Sequence, residues 1–177
     1  VLQRRSFCES CFAKGYENPQ KNESVRITMK LSTRVRYAVR AVIDLGLNSQ
    51  KDLVLLKDIA KRQAVSVKYL ENIFASLRRA EIVRGVRGAR GGYTLAREAK
   101  DITIYDVVMA MQGFVSPIGC VEDSCSCQRS KNCVAQEVWI EVTDAIAAVL
   151  KKYNLSELIT RHHRMAKIEV LEEFPES

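Results

Sequence analysis

Long apolar runs are missing from this chain. The longest uninterrupted one is Ala145–Leu150, far short of the about 20 residues that a membrane-crossing helix needs. Proline is scarce, at three residues in 177, and glycine contributes only eight, which excludes collagen-like and low-complexity classes. The only histidines are the adjacent His162 and His163, in a charged stretch with no nucleophile nearby. They read as solvated side chains rather than as catalytic groups. There is no Gly-Lys-Ser/Thr phosphate loop, and the glycines of 85–92 do not open a helix, which argues against a nucleotide-binding fold. No catalytic constellation emerges, so the chain is not expected to be an enzyme. At the N-terminus, Cys8, Glu9 and Cys11 stand where the apolar core of a secretory signal would lie. A cytoplasmic protein without membrane attachment is therefore expected.

What is present is a strongly divided charge. Residues 1–28 carry a balance of +2, residues 29–100 one of +10, and residues 101–177 one of −5. A basic block ahead of an acidic one suits a nucleic-acid-binding unit joined to a sensing or oligomerising unit. Residues 1–28 have no apolar periodicity and bunch Gly15, Asn18, Pro19, Gln20, Lys21 and Asn22. They are expected to be a disordered extension, with the native start at Met29.

From Met29 the pattern is helical. Val35, Ala38, Val39, Val42, Ile43 and Leu47 form one stripe behind a Ser32 or Thr33 cap, with Arg34, Arg36 and Arg40 outside it. A short helix over Leu55–Arg62 and a third helix capped by Ser66 are joined by the tight turn Gln63-Ala64-Val65. The third helix buries Leu70, Ile73, Phe74 and Leu77, while Lys68, Glu71 and Asn72 face outward. This pairing fits a helix-turn-helix. Ile82–Arg84 and Tyr93–Leu95 read as strands around a loop, Gly85–Gly92, with four glycines beside Arg84, Arg87 and Arg90. Such a basic hairpin after a recognition-type helix reads as a wing, in which glycine admits close approach to phosphates and an arginine can enter a minor groove. Thr103 caps a fourth helix, with Asp106 facing out. Phe114–Asn132 is irregular, and a long helix opening at Cys133 carries the stripe Val134, Val138, Val142, Ile146 and Val149. One stripe of that length suggests pairing with a second copy. The fold class expected is mainly α with a small β-hairpin: a winged helix-turn-helix domain over 29–112, a cysteine loop over 113–133, a dimerisation helix region over 134–162 and a flexible tail over 163–177.

The cysteine loop is the sharpest chemical feature. Cys120, Cys125, Cys127 and Cys133 lie within fourteen residues, beside Arg129 and Lys131 and before a helix N-terminus. Positive charge and the helix end both favour the thiolate form. Such soft ligands suit an iron–sulfur cluster, structural zinc or thiol redox chemistry, and the spacing leaves all three open.

The run Met29-Lys-Leu-Ser-Thr-Arg-Val-Arg-Tyr-Ala-Val-Arg-Ala, with Leu56-Lys-Asp-Ile-Ala, Ser66-Val-Lys-Tyr-Leu-Glu-Asn-Ile-Phe, Val86-Arg-Gly-Ala-Arg-Gly-Gly-Tyr-Thr-Leu and Cys133-Val-Ala-Gln-Glu-Val-Trp, resembles the Rrf-two superfamily of winged-helix regulators. The resemblance spans about residues 29–160 and is strongest to the iron–sulfur cluster regulators of that superfamily. It implies a homodimeric transcription regulator, a repressor of iron–sulfur cluster biogenesis genes, that holds a 2Fe-2S cluster, binds a double-stranded DNA operator and takes its cluster from a donor scaffold protein. It implies the ligands Cys120, Cys127 and Cys133, with Cys125 as candidate fourth ligand. The superfamily's histidine three residues after the last cysteine is Gln136 here, and an acid used by another branch corresponds to Arg36, which cannot ligate. DNA contacts carry over to Ser66, Lys68, Tyr69, Glu71 and Asn72 and to Arg87 in the wing, with Arg90 beside it. The same-fold alternatives are a nitric-oxide or redox sensor and a cysteine-metabolism regulator. The alternative of another class is a thiol-redox or electron-transfer protein.

Overall fold

Ser32 accepts a hydrogen bond from the Val35 amide at 3.3 Å and so starts the first helix, α1 (Thr33–Asn48). The computed structural model describes residues 31–49, 53–88, 91–113, 116–123, 127 and 132–173. The extension expected over 1–28 therefore lies outside the described residues. On α1, Val35, Ala38, Val42 and Leu45 are fully buried, and the apolar stripe broadens because Ala41, Asp44 and Gly46 join it.

Asp44 is an unexpected member of that face. Its carboxylate accepts from Arg62 Nε at 3.1 and 3.0 Å, from Arg62 Nη2 at 2.6 Å and from Gln63 Nε2 at 2.9 Å. Gln63 in turn accepts from Arg40 Nε at 2.8 Å. Hydrogen bonding to Asp44, helped by its charge, raises the Arg62 pKa further above its ordinary value. A buried carboxylate is tolerated because its lone pairs are filled and its charge is paired. The result fastens the last turn of α2 (Leu56–Gln63) to the C-terminal part of α1.

Helix α2 stops without glycine. Ala64 takes the left-handed conformation at φ 53°, and the amides of Ala64 and Val65 return to the carbonyls of Lys61 and Ala60. This Schellman arrangement satisfies the helix end. Two residues later Ser66 caps α3 (Val67–Arg79) by accepting from the Tyr69 amide at 3.2 Å. Leu70, Ile73, Phe74 and Leu77 are fully buried, and each such side chain stabilises the fold by about 1.5–3 kcal/mol. Helix α3 ends as α2 does, with Glu81 at φ 54° and Ile82 bonded back to Leu77.

The antiparallel strands β1 (Val83–Val86) and β2 (Gly92–Leu95) pair Val83 with Leu95 and Val86 with Gly92. They therefore absorb Gly85, Val86 and Gly92, which the sequence assigns to the loop. Gly91 explains how so short a hairpin closes: a Cβ there would stand 2.5 Å from the Val86 carbonyl oxygen. Val54 joins as a third, one-residue rung, exchanging hydrogen bonds with Tyr93 at 2.9 and 2.8 Å.

A capping box, in which Thr103 and Asp106 satisfy each other's amides, starts α4 (Ile104–Gln112), so Asp106 serves as a cap rather than facing out. Beyond α4 two segments depart from expectation and one, the long helix, matches it. The segment expected to be irregular contains the short helix α5 (Gly119–Glu122); four residues are too few for a periodic signal. The long helix is α6 (Val134–Lys152), with Cys133 as its N-cap residue. The tail expected to be flexible from 163 continues as α7 (Leu155–Glu173). Leu155 and Ile159 seat α7 on α1 beside Gly46, and Arg161 pairs with Glu157 at 2.6 Å, so a docked first turn propagates the helix. The α6–α7 junction is held to α4 by Ile104 N–H to Tyr153 and Leu155 N–H to Ile102. Val134, Val138 and Val149 stay 78%, 53% and 57% exposed on α6, leaving much of the predicted stripe uncovered in a single chain. No helix among the described residues is long and apolar enough to cross a membrane.

Arg62→Ala strands the Asp44 carboxylate and should cost about 3 kcal/mol in urea unfolding. Adding Asp44→Ala should restore part of that loss, because the orphaned charge is gone; a strictly additive double variant would deny the coupling.

Candidate nucleic-acid interface and cysteine segment

The residues expected to read DNA gather on the first two turns of α3 and on the hairpin. Lys68, Glu71 and Asn72 are exposed. Ser66 is committed to capping, so only its second lone pair and hydroxyl proton remain for a phosphate. Tyr69 is half-buried, edge-on to Tyr37 at 5.8 Å, and Arg36 and Arg40 lie over the Tyr37 ring at 5.3 and 5.7 Å. The ring pair thus holds Tyr69 in place while its edge remains at the surface. Arg87 is exposed immediately after β1. Gly88 follows it at φ 124°, a conformation that glycine adopts without penalty. Arg90 lies outside the described residues.

The cysteine segment is arranged around the root of α6. Cys120 sits in α5, Cys133 precedes the first turn of α6, and Cys127 stands between them; each is half-buried, and none is in a disulfide among the described residues. Cys125 lies outside the described residues, as do Arg129 and Lys131. Gln136 Nε2 donates to the Cys120 carbonyl at 2.8 Å, so the side chain that stands in the histidine position clips α5 onto α6. Ser116 shares a hydrogen bond with Thr143 at 3.3 Å and accepts from the Ile118 amide, fixing the other side of α5. Three thiols as a donor set fit an iron–sulfur cluster. No group of three ligating side chains stands ready for a metal ion among the described residues.

Sequence reasoning alone does not find three groups. Arg34 and Arg79 converge on Ser76, Asp44 locks α1 to α2, and Gln136 bonds α5. Each depends on a partner distant in the chain, except the Ser76–Arg79 spacing of three, which a helical wheel could have shown.

Residues 31–161 match the Rrf2 family, described as an iron-dependent transcriptional regulator. The chain is 39% identical over 131 residues to protein rrf2 of Nitratidesulfovibrio vulgaris strain Hildenborough, covering 74% of this chain and 87% of that one. It is 40% identical over 131 residues to the HTH-type transcriptional regulator IscR of Vibrio atlanticus, covering 74% and 75%. Among solved structures, T. potens IscR matches with a TM-score of 0.63 at 36% identity, over 75% of this chain and 88% of that one. CymR, the global cysteine regulator of B. subtilis, matches with a TM-score of 0.63 at 34% identity, over 76% and 98%.

Gln136→Ala should speed amide hydrogen exchange across Gly119–Glu122 about fivefold, the loss of one hydrogen bond worth about 1 kcal/mol. The amides of α3 should be unaffected; unchanged exchange in α5 would mean that the clip carries no load.

Proposed function

The chain belongs to the Rrf2 family of DNA-binding transcriptional regulators, and from that premise we propose that it binds a palindromic operator as a homodimer and holds a 2Fe-2S cluster, repressing iron–sulfur cluster biogenesis genes. The observation that carries this reading is the placement of Cys120 and Cys133 against the root of a helix whose apolar stripe is left uncovered. A second copy covering that stripe would bring two α3 helices and two wings to one duplex, the requirement for reading a two-fold operator.

On the DNA side, Lys68, Ser66 and Tyr69 would reach phosphates, Asn72 an adenine edge and Glu71 a cytosine amine. Arg87, with Arg90, would enter the adjacent minor groove. Glu71 also repels any site that offers it no donor.

On the sensing side, Cys120, Cys127 and Cys133 would hold the cluster, with Cys125 as fourth ligand. Gln136 offers only a hard amide oxygen, a poor partner for iron–sulfur chemistry, and its Nε2 is spent on the Cys120 carbonyl. When bound, the cluster would supply a link between α5, the intervening segment and α6 that responds to iron and oxidants. A scaffold protein would deliver it. The second reading is a cysteine-responsive regulator, favoured by the likeness to CymR, the global cysteine regulator.

Single Cys→Ala variants purified anaerobically should lose iron and sulfide together at 120, 127 and 133, with the visible absorption bands. Full retention in Cys127→Ala with loss in Cys125→Ala would reverse the ligand assignment, and zinc throughout would remove the cluster.

Glu71→Ala should bind its operator with nearly unchanged affinity yet lose about 1–3 kcal/mol of discrimination at one base pair. A panel of single-base operator changes measures this; undiminished selectivity would take Glu71 out of base reading.

A further inference from the structure

Beside the base-reading face, α3 carries a second polar feature that none of the roles above uses. The Ser76 Oγ, on a residue only 5% exposed, accepts from Arg34 Nη2 at 2.9 Å and from Arg79 Nη2 at 3.0 Å. Arg34 reaches in from the first turn of α1, with a weaker contact to the Asn72 carbonyl at 3.4 Å. Two guanidinium groups are thus held side by side on one neutral oxygen. Among the described residues neither is in an ion pair. Like charges do not gather on a hydroxyl for the benefit of folding. An anion between them converts the repulsion into attraction, and each guanidinium has five N–H donors, most of them unspent.

The arginines line a cleft of about 420 Å³ between α1 and α3, whose other walls include Tyr69 and Asn72. Ser76 and Arg79 stand one and two turns beyond Asn72 on the same side of α3. With the first turns of α3 against base edges, this cleft falls beside the sugar–phosphate strand that borders the groove. We propose that Arg34, Ser76 and Arg79 form a phosphate clamp that seats one backbone phosphodiester of the bound duplex. The clamp rests on the DNA-binding reading and adds to it a sequence-independent anchor that fixes how far α3 enters the groove. A free phosphate offers the same chemistry, so the test separates the two sources.

The full-length protein is titrated onto an operator duplex and a scrambled duplex across a series of chloride concentrations. Arg34→Gln and Arg79→Gln should each weaken binding about tenfold on both duplexes alike, and each should make the log–log salt slope shallower by about 0.9. Ser76→Ala keeps both charges and should weaken binding with the slope retained, as should Arg79→Lys, provided that circular dichroism melts match the wild type. Wild-type affinity and slope in both glutamine variants would overturn the clamp while leaving DNA binding intact. A wild-type protein that binds neither duplex would overturn the underlying reading and the clamp with it. Inorganic phosphate that raises the wild-type melting temperature but not that of Arg79→Gln, with DNA slopes unchanged, would assign the cleft to free phosphate and overturn the duplex as its occupant.

Discussion

The Asp44–Arg62 fork is the constraint from which the arrangement of the reading head follows. An interface made only of apolar side chains resists separation but tolerates sliding, because hydrophobic contact has no direction. A carboxylate bonded to one guanidinium through two nitrogens, and to Gln63 as well, does not slide. It sets the end of α2 on α1, and only the Ala64–Val65 turn and the Ser66 cap separate that end from α3. The angle at which α3 leaves the body is therefore inherited from one buried charge. Two residues along α1, Gly46 receives Ile159 of α7. Both halves of the protein thus meet α1 within a single turn.

Legibility in the sequence follows the range of each interaction. The caps Ser32, Ser66 and Thr103 are local, and the three helices they open start where the residue types say they do. The buried faces of α1 and α3 are periodic and so are visible as well. The two Schellman turns are not announced, because Ala64 and Glu81 occupy positions where glycine would be the signal. The hairpin is read correctly in kind but too loosely in extent, since a β-ladder can take up Gly85 and Gly92 that composition alone hands to the loop. The part of α7 beyond 162 is read as a flexible tail because its charged surface hides the continuity with a docked first turn. At the site, side chains acting alone, such as Glu71 and Asn72, are visible in sequence. The Asp44, Ser76 and Gln136 contacts are not, since their partners lie 16 to 42 residues away.

The substitution of Gln136 for histidine changes what that position does physically. A histidine there could donate a ring nitrogen to a metal. The amide of Gln136 instead bonds the backbone of the residue whose thiol is the first candidate ligand, and so tethers α5 to α6. From there contact is continuous: α5 packs on α6, α6 on α4, and α4 on α3. Contiguity alone does not transmit a signal; an element with two arrangements must lie along it. The elements at 119–122 and 134–152 are regular and fastened to each other by the Gln136 bond.

Charge segregation bears on how a duplex would meet this surface. At physiological salt a charge is felt over about 8 Å, so the +7 total matters less than which residues stand near the approaching phosphates. Lys68, Arg87 and the Arg34–Arg79 pair are drawn from the basic stretch. Glu137, Glu141 and Asp144 lie along the exposed side of α6 in the acidic one. A duplex drifting toward the first turns of α6 would meet repulsion from these acids, and attraction at α3, the hairpin and the Arg34 end of α1. Non-specific encounters are thereby oriented before any base is read. The apolar stripe shares α6 with those acids, so a second copy covering the stripe would pack beside an acidic face. The same helix would then carry both the surface a second copy covers and the surface DNA avoids.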